Sequence, residues 1–199
     1  MSAESLRPFR LVLLSSAITA INAAWLIAVY LRSAAHVIPF ASFLACASLF
    51  CFIEALLVNP AVVLGRENGD GRIAALTGLS IAAIFLTAIA TGGSASMVTT
   101  SSGAMLMMLG VLLRAIAIRT LGPRFTTELR ADGPLVEHGI YGWLAHPSEL
   151  GLLSVTLGAA IIFRSEPAFA IWLLCTVPLT ISRIRAENAF LRLQRRSDA

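Results

Sequence analysis

Six residues of this chain have side chains that could take part in polar chemistry beside otherwise apolar runs: Arg114, Tyr141, His146, Glu149, Glu187 and Asn188. His146 precedes Pro147 at the entrance to an apolar run. Pro is favoured at the first helical position, where its missing N–H costs nothing, and the amides of such a helix start attract an anion. Arg114 lies within an apolar segment, and its planar guanidinium is suited to gripping a carboxylate or phosphate in bidentate fashion. Glu149 falls about one helical turn past His146. An acid there complements the helix dipole, and it could also contact a cationic or hydroxyl-bearing acceptor or serve as its base. Arg183 and Glu187 are spaced i,i+4, which fits either a solvated pair on one helix face or a Glu187 turned toward a ligand.

These groups have to be positioned by apolar elements. Of the 199 residues, 57% are hydrophobic and 13% charged, about half the charged share of an average soluble domain. A membrane protein is the class this implies. All 15 basic residues are Arg, and they flank apolar runs rather than forming a separate basic surface, so nucleic acid is not an expected partner. Cys46, Cys51 and Cys175 all fall in apolar stretches without metal-site or disulfide spacing. They read as small buried hydrophobes, and no metal is expected.

Six apolar segments are expected, at residues 11–31, 37–58, 73–91, 97–118, 147–163 and 168–182. The first four have the length of a bilayer span. The last two reach only about 23 to 26 Å at about 1.5 Å per residue, against a hydrocarbon core of about 30 Å. A tight helical hairpin fits them best, and whether it spans the bilayer fully stays open. The fold class is therefore all-α: a polytopic membrane protein with about four transmembrane helices and a C-terminal hairpin. Residues 1–118 would form the transmembrane region. Residues 119–199, comprising a polar connector, the hairpin and an Arg-rich tail, would form the catalytic region.

With the N-terminus in the cytoplasm, twelve arginines fall on the cytoplasmic side and two on the other, leaving Arg114 in the membrane. This bias is the positive-inside pattern, and it places both termini, the connector and the tail in the cytoplasm. Arg114 and Glu54 each lie about four residues from the cytoplasmic end of their segments. An ion pair between them and separate snorkelling to the interface are both open.

From Arg114 onward the chain reads RAIAIRTLGPRFTTELRADGPLVEHGIYGWLAHPSELG, and later RIRAENAFLRL. This text resembles the isoprenylcysteine carboxyl methyltransferase family, with the phospholipid methyltransferases as wider kin. Arg114, Ile118, Leu121, Gly122, Phe125 and Thr126 match a first motif. Leu135, Val136, Gly139, Tyr141, His146, Pro147 and Gly151 match a second. Arg183, Glu187 and Leu191 match a third. Ala145 stands where the family usually has Arg, Glu149 where it has Tyr, and Asn188 where it has a second Glu.

The resemblance implies a membrane enzyme that uses S-adenosylmethionine as methyl donor and a lipophilic small molecule or lipidated acceptor, most simply an isoprenylcysteine carboxylate, reached through membrane lipids. His146 would hydrogen-bond the cofactor and Glu187 would meet its amino group. Tyr141 and Trp143 would line its adenine side, and the backbone of Leu135, Val136 and Gly139 would close the pocket. Pro147 would start the supporting helix and Gly151 would permit close approach. Arg114 would orient or charge-balance the acceptor, with Glu149 and Asn188 as further catalytic candidates. Two alternatives stand beside this reading: methylation of a phospholipid amine or small-lipid hydroxyl, and a non-catalytic membrane protein or transporter.

Overall fold

The computed structural model describes residues 37–57, 71–93, 95–122 and 138–197. The expected segment 11–31, most of the connector, Leu135 and Val136 lie outside the described residues. All regular structure within them is helical: α1 (Val37–Leu57), α2 (Gly71–Thr91), α3 (Met97–Leu121), a 3₁₀ turn (Gly139–Gly142), α4 (Pro147–Ile162), α5 (Glu166–Ile171), a π-helical turn (Trp172–Thr176) and α6 (Val177–Ser197). Among the described residues, three stretches are long and apolar enough to cross a membrane, namely Val37–Glu54, Met97–Leu121 and Glu166–Ala189. The apolar parts of α2 and α4, Ala75–Thr91 and Pro147–Ile162, are shorter.

The termini of these helices follow from local chemistry. Ser96 caps α3 by accepting the Thr99 amide through its hydroxyl at 3.2 Å. Gly122 ends α3 at φ 56°, a backbone conformation that favours glycine, with its N–H bonded to the Ile118 carbonyl. Pro147 starts α4, as its missing N–H allows. Ser165 caps α5 through the Ala168 amide at 3.2 Å.

The last apolar run departs from expectation. It does not stop at residue 182, because the helical path continues from Glu166 through the π turn to Ser197. Hydropathy falls beyond residue 182, yet Arg183 and Glu187 are ordinary helix residues, and each finds a partner on α4. The second arm is therefore long enough to cross a membrane, while α4 stays short. The π turn is marked by the Val177 amide reaching back to the Trp172 carbonyl. It ends two residues before Pro178, which lacks an N–H and would crowd the carbonyl four residues earlier in a regular helix. Widening that turn relieves the clash.

α4 packs on more than the last segment. Its longest contact is with α3, which the expected boundary at residue 118 assigns to a different region. Glycines make this possible. A Cβ built on Gly103 would meet the Gly158 carbonyl oxygen at 2.7 Å, and one on Gly158 would meet that of Gly103 at 2.6 Å. Gly110 and Gly151 repeat the arrangement one heptad along. Lipid tails are as apolar as Leu, so close backbone approach at small residues is a main source of helix pairing in a bilayer. α1 packs on α3, and α2 on α4 and α5.

At one end of the bundle, Phe163 packs against Phe40 and Phe43, with ring centroids 4.8 and 5.3 Å apart. The Trp172 indole N–H reaches the Leu153 carbonyl at 3.1 Å and ties the π turn to α4. Leu79, Leu86, Val98, Met105 and Leu174 point outward, as lipid-facing residues do. Of the cysteines, Cys46 is buried, but Cys51 is only partly so and Cys175 is exposed. The expectation of three buried thiols therefore holds for one, because the π turn carries Cys175 onto the outward face.

Candidate active site at the start of α4

The site residues gather where the N-terminus of α4 meets α3 and α6. The Gly110–Gly151 approach brings α3 against the first turns of α4, so that the residue one turn past Gly110, Arg114, reaches Ser148. Arg114 is 7% exposed. Its Nε and Nη2 both donate to the Glu54 carboxylate, the latter at 3.0 Å to Oε2. Its Nη1 donates to the Ser148 hydroxyl at 2.7 Å. Of the two possibilities open from sequence, the ion pair is the one formed, and it joins α1, α3 and α4. The guanidinium fork is directed at Glu54 and Ser148.

On the other side of α4, two contacts cross to α6. Arg183 Nη1 donates to Glu149 Oε1 at 3.2 Å, and His146 Nδ1 lies 3.2 Å from Glu187 Oε2. His146 and Glu149 are three residues apart on α4, and Arg183 and Glu187 four apart on α6, so matching helix faces pair in antiparallel order. Arg183 and Glu187 each turn toward α4. His146 occupies the cap position of α4, but its side chain makes no capping bond; it contacts Glu187 instead.

Glu149 is 4% exposed. Its Oε2 is buried and has no hydrogen-bond partner among the described residues. Tyr141, in the 3₁₀ turn, is half-buried. Burial pushes its phenol up to about 12 from 10.0; the Glu187 carboxylate adds to the rise, Arg114 opposes it, and Glu149 adds a little more. The phenol therefore keeps its proton, and the charges of Glu187, Arg114 and Glu149 all reach it. Gly139 opens this turn at φ 61°, again a conformation that favours glycine.

The remaining candidates are more scattered. The missing Cβ of Gly151 faces Gly110 and Arg114, so its small size serves the approach of α3. Asn188 is exposed on α6. Trp143 is 91% exposed and stands away from the cluster, as an aromatic at a membrane interface would. His138 is exposed. Sequence reasoning did not single out Ser148, and it treated Arg183 as a motif match and a neighbour of Glu187 without giving it a partner on α4. The available signal was the spacing: charges at 146 and 149 and at 183 and 187 can interlock across two antiparallel helices.

All of these residues except Glu54 fall within residues 103–193, the stretch matched by the model of the isoprenylcysteine carboxyl methyltransferase family. The stretch whose motifs resemble that family is thus the one its family model matches. The chain is similar to protein-S-isoprenylcysteine O-methyltransferase of Saccharomyces cerevisiae, at 31% identity over 101 residues, covering 49% of this chain and 42% of that protein. It is also similar to the protein of the same name from Tribolium castaneum, at 32% identity over 93 residues, covering 45% and 33% respectively. The chain therefore spans less than half the length of these curated relatives.

Proposed function

We propose that this chain is a membrane methyltransferase that uses S-adenosylmethionine to methylate the carboxylate of a lipophilic, isoprenylcysteine-type acceptor at the cytoplasmic face. The observation that carries this reading is the pair of cross-helix contacts, His146 with Glu187 and Glu149 with Arg183. They join two separate motif segments of the family-matched stretch into one polar cluster at the end of an apolar bundle.

The donor set suits such a cofactor. It is cationic at its sulfonium and amino groups, and the cluster contains two carboxylates, one with a buried unpartnered oxygen. When bound, the cofactor supplies an electrophilic methyl group on sulfonium sulfur, which leaves as a neutral thioether. His146 and Glu187 would hold it from α4 and α6, with the amides opening α4 available to its carboxylate. Tyr141 would border it with a protonated phenol. Gly139 would contribute backbone to the same pocket, and Pro147 fixes the start of the helix that carries it.

An acceptor carboxylate is already ionised at neutral pH, so no general base is needed. What remains is alignment of donor and acceptor at near-attack distance. Arg114, held by Glu54 and Ser148, would keep the start of α4 against α3 and so orient the acceptor. Asn188, exposed on α6, would act from the rim. The arginine bias supports a cytoplasmic location for this end of the bundle and for both termini.

The test is equilibrium binding of S-adenosylmethionine to the detergent-solubilised full chain, followed by methyl transfer to an N-acylated S-prenylcysteine. Wild type is expected to bind and to form the methyl ester, while His146→Ala and Glu187→Ala lose about tenfold or more in donor affinity, the scale of 1.4 kcal/mol. Absence of donor binding by the wild type would overturn the reading.

A further inference from the structure

Resting on that reading, we propose that the unpartnered carboxylate oxygen of Glu149 lets this site distinguish the methyl donor before transfer, when it is a sulfonium cation, from the neutral thioether that remains afterwards. Glu149 sits in the first turn of α4, and the Arg183 guanidinium satisfies its Oε1 at 3.2 Å. Its Oε2 is buried with no hydrogen-bond partner among the described residues. An ionised acceptor left unmade in a buried place is costly, and a cation brought beside it offsets that cost.

The neighbouring groups point the same way. Arg114 is engaged by Glu54 and Ser148. Tyr141 keeps its proton and contributes a dipole rather than a charge. Glu187 supplies a second carboxylate that acts on the same phenol. With Arg183 on one oxygen of Glu149 and Arg114 on Glu54, a cation lodged here meets the remaining Glu149 oxygen and Glu187, whereas a neutral thioether gains nothing from either.

The proposed reaction removes this cation. The acceptor carboxylate oxygen forms a bond to the methyl carbon as the carbon–sulfur bond breaks, and the bonding electron pair stays on sulfur. Sulfonium plus carboxylate become thioether plus ester. A carboxylate at position 149 therefore favours the charged donor and weakens the hold on the spent one. The Tyr usual at this position in the resembling family carries no such charge.

The experiment measures binding of S-adenosylmethionine, S-adenosylhomocysteine and an analogue with an ammonium group in place of the sulfonium, using the full chain in detergent. Wild type is expected to hold both cations about tenfold or more tightly than the thioether, a modest share of what two nearby charges can supply. Glu149→Gln keeps the shape and an oxygen for Arg183. It is expected to lose most of that preference while thioether affinity changes by less than about twofold. Equal wild-type affinities for the three ligands would overturn the proposal, as would a Glu149→Gln variant that keeps the ratio or loses all three equally. Those outcomes leave the methyltransferase reading standing. Wild type that binds none of the three overturns both. If Glu149→Gln does not fold, the wild-type comparison of ammonium analogue with thioether decides alone.

Discussion

Gly110 on α3 and Gly151 on α4 face each other so closely that a Cβ on either would meet the other's carbonyl oxygen, at 2.6 and 2.7 Å. A Cβ on Gly151 would also meet the backbone nitrogen of Arg114 at 3.0 Å. The packing contact and the site geometry thus share one residue. Gly151→Ala and Gly110→Ala are each expected to force the helices apart, costing about 1–3 kcal/mol as overpacking does, and to lower donor binding as Arg114 leaves Ser148. Gly103→Ala, a heptad away, should lower thermal stability to a similar degree with a smaller effect on binding. Melting in detergent beside donor titration checks this; equal binding losses at residues 103 and 151 would break the link between the approach and the site.

The Arg114–Glu54 pair joins α1 to α3. Truncating Glu54 takes the carboxylate away from the buried Arg114 charge, so Glu54→Ala should cost about 3–5 kcal/mol, and Arg114→Ala, which strands the partly exposed Glu54, should cost less. The double variant should cost clearly less than the sum, because it removes both charges. A double-mutant cycle on unfolding checks this, and strict additivity would mean that the two charges do not stabilise each other.

Tyr141 gives a pH signature. Its phenol ionises near 12 when folded and 10.0 when unfolded. Between those values the unfolded chain has released a proton that the folded chain keeps, so stability falls as pH rises. The contribution is complete below about pH 10 and is lost as pH passes through about 12. The difference between the phenolate absorbance titrations of wild type and Tyr141→Phe should show a step near pH 12, and a step near 10 would contradict it.

Pro178 is expected to maintain the π turn. Pro178→Ala removes the clash and restores an N–H, so helicity should be retained or should rise. A regular helix lacks the extra residue of the π turn, and losing it rotates everything beyond by about 100°. Arg183 and Glu187 would then face away from α4, and donor binding should fall. Binding unchanged in Pro178→Ala would show that the register of α6 is set elsewhere, for instance by the Trp172–Leu153 hydrogen bond.

The amino-acid sequence by itself determined the all-helical character, the positions of α1 to α3, the start of α4 at Pro147 and the segments that carry the site motifs. These are local or one-dimensional properties: length of apolar run, proline at a first turn, glycine where φ is positive, and residues in fixed order. Tertiary structure alone decided which faces meet. In a bilayer both the packed and the lipid-facing sides of a helix are apolar, so hydropathy does not distinguish the side of α4 that meets α3 from the side that meets lipid. For that reason only the pairing of α4 with the last segment was expected, and the structure adds a glycine-lined contact along its length with α3. The same ambiguity ended the last segment at residue 182, since falling hydropathy hides a helix whose polar residues are satisfied across an interface. His146 with Glu187, and Glu149 with Arg183, are separated by 41 and 34 residues. Only the antiparallel crossing of α4 and α6, set in register by a π turn ahead of Pro178, brings each charge to its partner.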